Sequence, residues 1–252
     1  MYLLASDFDN TLLFHNRMKL KDVKAIKKFQ KNGNLFGLCT GRSLEGVERP
    51  TQPYHIKYDF YILLSGALIL NKDKEVILEK TIPMTLVMEI FEFLNHQDAS
   101  VVYHNEMYKV CKKKTLTKRG VYLDSFLELK TDCVSAFSFH FQENEIDKAA
   151  TATAMINEKY GDYIEAYQNN QHIDLAAKGC SKGNGIKVIQ EYFHLDDQHI
   201  HAIGDSWNDL PMLDIVENSY TFTYAHEDVQ QHAKTIVESL ADCIQDIERK
   251  DN

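Results

Sequence analysis

Three short apolar runs, each broken off by a polar cluster, constrain this chain more than any other feature. "YLLAS" (2–6) runs into Asp7-Phe8-Asp9-Asn10-Thr11, and "LFGLC" (35–39) into Thr40-Gly41-Arg42. "HIHAI" (199–203) runs into Gly204-Asp205-Ser206-Trp207-Asn208-Asp209, and "YDFYILLSGALIL" (58–70) is a further apolar run. Between the first two, "LKDVKAIKKFQKNGN" sets Leu20, Val23, Ile26 and Phe29 at helical spacing and stops at Asn32-Gly33. Strand, helix and strand with continuous apolar runs predict an α/β fold whose parallel sheet is covered on both faces.

The texture changes over residues 83–174. "TLVMEIFEFLNHQ" reads as a helix, "VVYHNEMYKVC" as a strand pair, and "VSAFSFHFQ" alternates as a strand exposed on one face. "EIDKAATATAMINEKYGD" reads as a helix ending near Gly161, and "YIEAYQNNQHIDLAA" as one or two strands. After 175 the first texture returns, with Ile186, Ile189 and Phe193 on one stripe of "KGNGIKVIQEYFHL". The expected organisation is a core of residues 1–82 and 175–252, interrupted by an α+β module at 83–174. A length of 252 residues accommodates this.

A net charge of −9 argues against a nucleic-acid-binding surface. The basic run "KVCKKKTLTKR" (109–119) reads as a solvated face. No apolar stretch approaches the roughly 20 residues of a membrane span, and "MYLLASDFDN" does not resemble a signal peptide. Five scattered cysteines, none at metal-knuckle spacing, suit a reducing cytosol, so the expected location is cytoplasmic. The eleven histidines also lack ligand spacing.

In open α/β sheets ligands sit at the carboxyl ends of the strands, where the polar clusters fall. Asp7, Asp9 and Asp205 would concentrate negative charge in one crevice. A partial set of hard oxygen ligands matches Mg²⁺, which keeps several waters and completes its shell with substrate phosphate. Thr40 and the Gly41 amide suit phosphate oxygens, and Lys182 in "KG" supplies a balancing point charge. Several acids, a cation and small donors suit phosphoryl transfer, in which positioning and charge stabilisation dominate.

"DFDNTL", "TGR", "KG" and "GDSWND" together resemble the four motifs of the haloacid-dehalogenase superfamily of phosphohydrolases. The insert resembles the cap of its Cof-type (class IIB) subfamily. The resemblance implies a Rossmann-like, doubly wound core and a phosphatase acting on a small, sugar-phosphate-like metabolite, with no nucleic-acid or membrane partner. It implies Asp7 as nucleophile and Asp9 as general acid, then base. The metal ligands would be the Asp7 and Asp205 carboxylates and the Asp9 carbonyl. Thr40, Gly41, Arg42, Lys182 and Asn208 would bind phosphate, with Thr11 and Asp209 in support. The insert would close over substrate and set selectivity, with His104, Tyr108 and Tyr167, and the loop holding His15 and Arg17, as candidates. A model aspartate is about 99.9% ionised at pH 7, so a proton donor at position 9 needs surroundings that favour the protonated form.

Plainer readings stand beside these. Asp7 and Asp9 could be turn or cap residues, and Asp209 a helix N-cap ahead of Leu210-Pro211. Arg42 could pair with an acid instead of substrate, Lys178 competes with Lys182, Cys39 reads as a packed strand residue, and Trp207 packs at its loop. The same scaffold could serve a phosphomutase, or a receiver-like switch phosphorylated on Asp7. Three departures from the family pattern are Asn10 for Gly, Ser65-Gly66 for Asn-Gly, and "TYAHEDV" for a Gly-Asn-Ala turn.

Overall fold

A computed structural model describes residues 1–96, 98–111 and 120–249. Most of the basic run at 109–119 therefore lies outside the described residues. The chain divides into two compact units, Met1–Leu78 with Ser181–Asn252, and Glu79–Cys180.

Among the described residues, an eight-stranded sheet is built on Leu3–Ser6. Its order is Thr235–Val237, Asn218–Phe222, Ile200–Ile203, Leu3–Ser6, Leu35–Cys39, Phe60–Leu63, Leu68–Asn71 and Val76–Glu79. The first six strands run parallel, in the α/β class that the apolar runs predict. Leu3–Ser6 is buried at every position because helices cover both faces of the sheet. On one face Leu3, Ala5, Ile62 and Ile200 pack with Ile186, Ile189 and Met212 from the helical side. Each of the larger side chains among them, leucine, isoleucine or methionine, contributes roughly 1.5–3 kcal/mol by leaving water.

The apolar run 58–70 is two strands, not one. Leu64, Ser65 and Gly66 all take positive φ (51°, 55° and 91°) and reverse the chain, so Leu68–Asn71 returns antiparallel to Phe60–Leu63. A reversal buried in hydrophobic sequence leaves no compositional sign except Gly66.

Among the described residues, the second unit carries a six-stranded sheet in the order Ile164–Asn169, His172–Ala177, Ala136–His140, Asp98–Tyr103, Glu106–Cys111 and Val121–Leu123. The period-two alternation of the sequence divides its faces. Val101, Phe137, Phe139, Ile173 and Leu175 form one core with Val87, Ile90, Ala152 and Ile156 of the helices Met84–Leu94 and Ile146–Tyr160. Tyr167, Asp174, Ser138, Ser100, Lys109 and Tyr122 align as successive cross-strand partners on the opposite face. None of the helices among the described residues is long and apolar enough to cross a membrane.

That polar face holds a hydrogen-bonded chain in which Ser100 Oγ meets His140 Nε2 at 2.8 Å and His140 Nδ1 meets His172 Nδ1 at 3.2 Å. Burial, then the neighbouring His172, pushes His140 down from 6.5 to about 3. The unfolded chain therefore binds this proton first as pH falls. The stability contribution is complete above pH 6.5 and is lost progressively toward pH 3. Acid unfolding monitored by circular dichroism should show that dependence, and His140→Gln should flatten it by up to about 1.4 kcal/mol per pH unit. An unchanged slope would remove His140 as the cause.

Candidate active site

The crevice is assembled at the carboxyl ends of three adjacent parallel strands. Asp7 follows Leu3–Ser6, and its amide donates to the Ile203 carbonyl at 2.9 Å. Thr40 follows Leu35–Cys39 and donates its amide to the Ile62 carbonyl at 2.9 Å. Gly204-Asp205 follows Ile200–Ile203, with the Gly204 carbonyl accepting from Thr221 Oγ1 at 2.8 Å.

Lys182 lies at the centre. Its Nζ donates to Asp7 Oδ1 and to Asp209 Oδ1, both at 2.6 Å, and its side chain is 1% exposed. The position is unfavourable for a cation by itself, being dry and in the first turn of the helix Lys182–Phe193, whose dipole repels positive charge. Burial alone would lower its affinity for a proton, but the carboxylates of Asp209 and Asp7 outweigh burial and hold the ammonium charged. Lys178 is half exposed and pairs with Glu165.

Two glycines permit this placement. The Ser181 hydroxyl caps the helix by accepting from the Asn184 amide at 2.9 Å, and a Cβ at Gly66 would collide with the Ser181 carbonyl. A Cβ at Gly183 would collide with the Pro211 carbonyl, so the "G" of "KG" lets the lysine helix pack against the short helix Leu210–Leu213 that follows the third strand. The role of Gly66 and Ser181 in seating Lys182 is not visible in the sequence, since the two lie far apart along the chain.

Asp209 stands ahead of the helix Leu210–Leu213 but makes no side-chain capping bond to it; it closes the capping box of Ser206 and braces the lysine. Its Oδ2 accepts from the amides of Asp205 and Ser206 at 2.8 and 2.9 Å, while Oδ1 holds Lys182. Asp205 Oδ1 accepts from the Thr11 hydroxyl at 2.6 Å, and Asn208 Oδ1 accepts from Ser206 Oγ at 2.6 Å. Trp207 is 46% exposed and lies near the ring of His226, while Cys39 is a packed strand residue at 0% exposure.

Asp7, Asp205 and Asp209 each bring a carboxylate oxygen within 4.8 Å of the others. Burial first, then the Asp209 charge, raises Asp7 well above the usual carboxylate range, with Lys182 pulling the other way. The same two causes push Asp205 up to about 7. With all three acids ionised, their charge would exceed that of the one ammonium by two in this buried crevice. Asp209 has both oxygens engaged, whereas Asp7 and Asp205 each have a second oxygen beyond the one bonded to Lys182 or Thr11. The donor set is entirely hard oxygen, so a divalent cation of the magnesium type fits it in both charge and chemistry.

Asp9 does not join that cluster. Its carboxylate forms a fork with Arg42, Oδ2 accepting from Nε at 2.7 Å and Oδ1 from Nη2 at 2.6 Å. Arg42 also lies 5.0 Å from the Phe8 ring centroid and donates to the Gly46 carbonyl at 2.9 Å. Arg42 thus pairs with an acid in this state, the second of the two partners open to it from sequence. The Asp9 side chain is 46% exposed and engaged by this guanidinium. Its Arg42 partner lies 33 positions away, and only the fold aims the two side chains at each other. Thr40 Oγ1 accepts from the Arg42 amide at 3.2 Å, which shapes the Thr40-Gly41-Arg42 turn.

Residues 4–242 match the family described as haloacid dehalogenase-like hydrolase. The chain belongs to that family. A Mycoplasma capricolum protein without an assigned function is 27% identical, over 94% of this chain and 97% of its own. A Haemophilus influenzae protein named "Putative phosphatase" is 25% identical, over 92% of this chain and 90% of its own. Among solved structures, a HAD/COF-like hydrolase from Plasmodium vivax superposes with a TM-score of 0.87 at 18% identity, covering 99% of this chain and 96% of that one. A subclass IIB sugar phosphatase of the superfamily superposes at 0.80 with 20% identity, covering 100% and 99%. These likenesses establish the Rossmann-like fold of this haloacid dehalogenase-like hydrolase, in which Asp7, Thr40 and Asp205 follow adjacent strands and Lys182 is bonded to Asp7.

Proposed function

We propose that the protein is a Mg²⁺-dependent phosphatase that hydrolyses a small phosphorylated metabolite through an aspartyl-phosphate on Asp7. The observation that carries this reading is the buried Asp7–Lys182–Asp209 ion cluster with Asp205 beside it. The name of the Haemophilus relative supports a phosphatase, and the sugar phosphatase among the structural neighbours favours a sugar-phosphate-like substrate.

Asp7, Asp205 and the Asp9 carbonyl would hold the cation, which when bound supplies positive charge to the crevice and to phosphate oxygens. Asp7 attacks phosphorus as a carboxylate, forming a P–O bond as the ester P–O bond breaks. The leaving alkoxide takes a proton from Asp9. Asp9 then accepts a proton from the water that attacks the phosphorus, releasing inorganic phosphate and restoring Asp7. Lys182 and Thr40 balance the oxygens of the transferring group, Gly41 and Asn208 line the same turns, and Asp209 holds Lys182 in line. For Asp9 to carry a proton its fork with Arg42 must open. A phosphate dianion offers the guanidinium another bidentate partner, so substrate entry itself provides the exchange.

Hydrolysis of para-nitrophenyl phosphate tests the reading. Turnover with Mg²⁺ that vanishes on chelation with EDTA and returns with added Mg²⁺ is the expected result. Absence of turnover together with stable phosphorylation by acetyl phosphate would instead favour a phosphorylated switch, and phosphoryl return to a sugar would favour a mutase.

A further inference from the structure

Asp9 is aimed by the backbone that follows it. Asn10 holds φ at 60°, a left-handed conformation that asparagine adopts more readily than most residues. Its amide donates to the Leu13 carbonyl at 2.9 Å, while the Leu12 and Leu13 amides both return to the Phe8 carbonyl, at 3.1 and 2.8 Å. The turn is therefore closed on its own backbone, and it is tied outward through the Thr11 hydroxyl, bonded to Asp205, and through the Asn10 carbonyl.

That carbonyl accepts a hydrogen bond from the Tyr224 hydroxyl at 2.6 Å. Tyr224 lies just beyond Asn218–Phe222, the strand next to Ile200–Ile203 in the sheet. Its ring is stacked on Phe222, with centroids 4.7 Å apart and planes 12° apart. It also meets Phe14 edge-on at 6.1 Å, so one side chain touches the 8–14 loop at both Asn10 and Phe14. Burial, followed by the charges of Asp205 and Asp7, raises the phenol well above its ordinary value, so the hydroxyl stays a donor. Two of the departures from the family pattern, Asn10 and the "TYAHEDV" stretch, are thus bonded to each other.

We propose that Tyr224 is a positioning residue for proton transfer, its hydroxyl fixing the Asn10 carbonyl and through it the direction in which Asp9 presents its carboxyl group. The proposal rests on the reading of Asp9 as the proton donor to the leaving alcohol. Once the Arg42 fork opens to phosphate, the side chain loses its own restraint, and the backbone bonds of Asn10 to Leu13 and Tyr224 keep Asp9 aimed. A carboxyl group that wanders by a fraction of an ångström transfers its proton less efficiently, and the deficit is largest where the leaving group most needs that proton.

The test is Tyr224→Phe, which retains the ring contacts and removes only the hydroxyl. Wild type, Tyr224→Phe and Asp9→Asn are compared with Mg²⁺ on glycerol phosphate, a poor leaving group, and on para-nitrophenyl phosphate, a good one. For Tyr224→Phe, kcat/KM on glycerol phosphate should fall about tenfold and on para-nitrophenyl phosphate less than about threefold, with KM within about twofold on both. A purely structural role would lower both substrates by one factor or raise KM, and either result would overturn the proposal, as would no change at all. Loss of cooperative unfolding in Tyr224→Phe would also overturn it, by assigning the hydroxyl to stability. Wild type inactive on both esters would sink the phosphatase reading itself. Wild type active but indifferent to Asp9→Asn would sink the role of Asp9 and this inference with it. Wild type active and sensitive to Asp9→Asn, with equal losses in Tyr224→Phe, would sink the inference alone.

Discussion

Asp7→Asn is expected to lower kcat/KM by on the order of 10⁴-fold or more, the scale seen when an attacking group is removed, while the protein remains folded. The amide is nearly isosteric with the carboxylate and can still accept from Lys182, and Lys182 retains Asp209 as its second partner at 2.6 Å. The native carboxylate is also costly to keep charged. It is 4% exposed, and burial and the Asp209 charge both work against its ionisation. Removing that charge should therefore leave the unfolding midpoint within a few degrees of wild type or raise it. Steady-state kinetics beside thermal unfolding checks the pair of expectations. A variant that unfolds would show that the carboxylate is structural, and a variant that turns over normally would remove Asp7 as nucleophile.

Lys182→Met should do the opposite to stability. It leaves Asp7 and Asp209 in a dry crevice without their counter-charge, and breaking a buried pair by removing one partner costs about 3–5 kcal/mol. Asp209 is 0% exposed and also organises the Asp205-Ser206 turn, so the damage extends to the loop that carries Asp205. The loss should shrink as pH is lowered, because protonation neutralises the stranded acids. Denaturant unfolding of wild type and variant at neutral and mildly acidic pH measures this directly. Equal stability of the two at neutral pH would mean that the lysine does not hold the acids, and retained activity would remove it from the phosphate site.

The elements that sequence made legible are those whose signal is local. Continuous apolar runs at 2–6, 35–39 and 199–203 became adjacent parallel strands, and so Asp7, Thr40 and Asp205 had to meet. The alternation of "VSAFSFHFQ" became a strand with Phe137 and Phe139 at 0% exposure and Ser138 and His140 on the other side. Features that depend on side-chain direction were not legible. Asp9 and Arg42 each occupy a motif position, yet nothing in either motif reveals that the two are forked together. The reversal at Leu64–Gly66 was hidden inside an apolar run, and the division of the chain at 78/79 and 180/181 falls several residues outside the change of texture at 83 and 174. The strands Val76–Glu79 and His172–Ala177 carry no compositional mark of the unit to which they belong. Tyr224 lay in a stretch recognisable only as a departure from a pattern, and its bond to Asn10 spans 214 positions.

The central claim is that phosphate passes through Asp7. It is tested most directly by mixing Asp9→Asn with Mg²⁺ and para-nitrophenyl phosphate, quenching in acid during turnover, and mapping the protein by mass spectrometry. That variant forms the intermediate from a good leaving group but lacks the base that discharges it, so a phosphoryl group should accumulate on the peptide bearing Asp7. Continued release of inorganic phosphate, with the Asp7 peptide never modified at any quench time, would contradict the account.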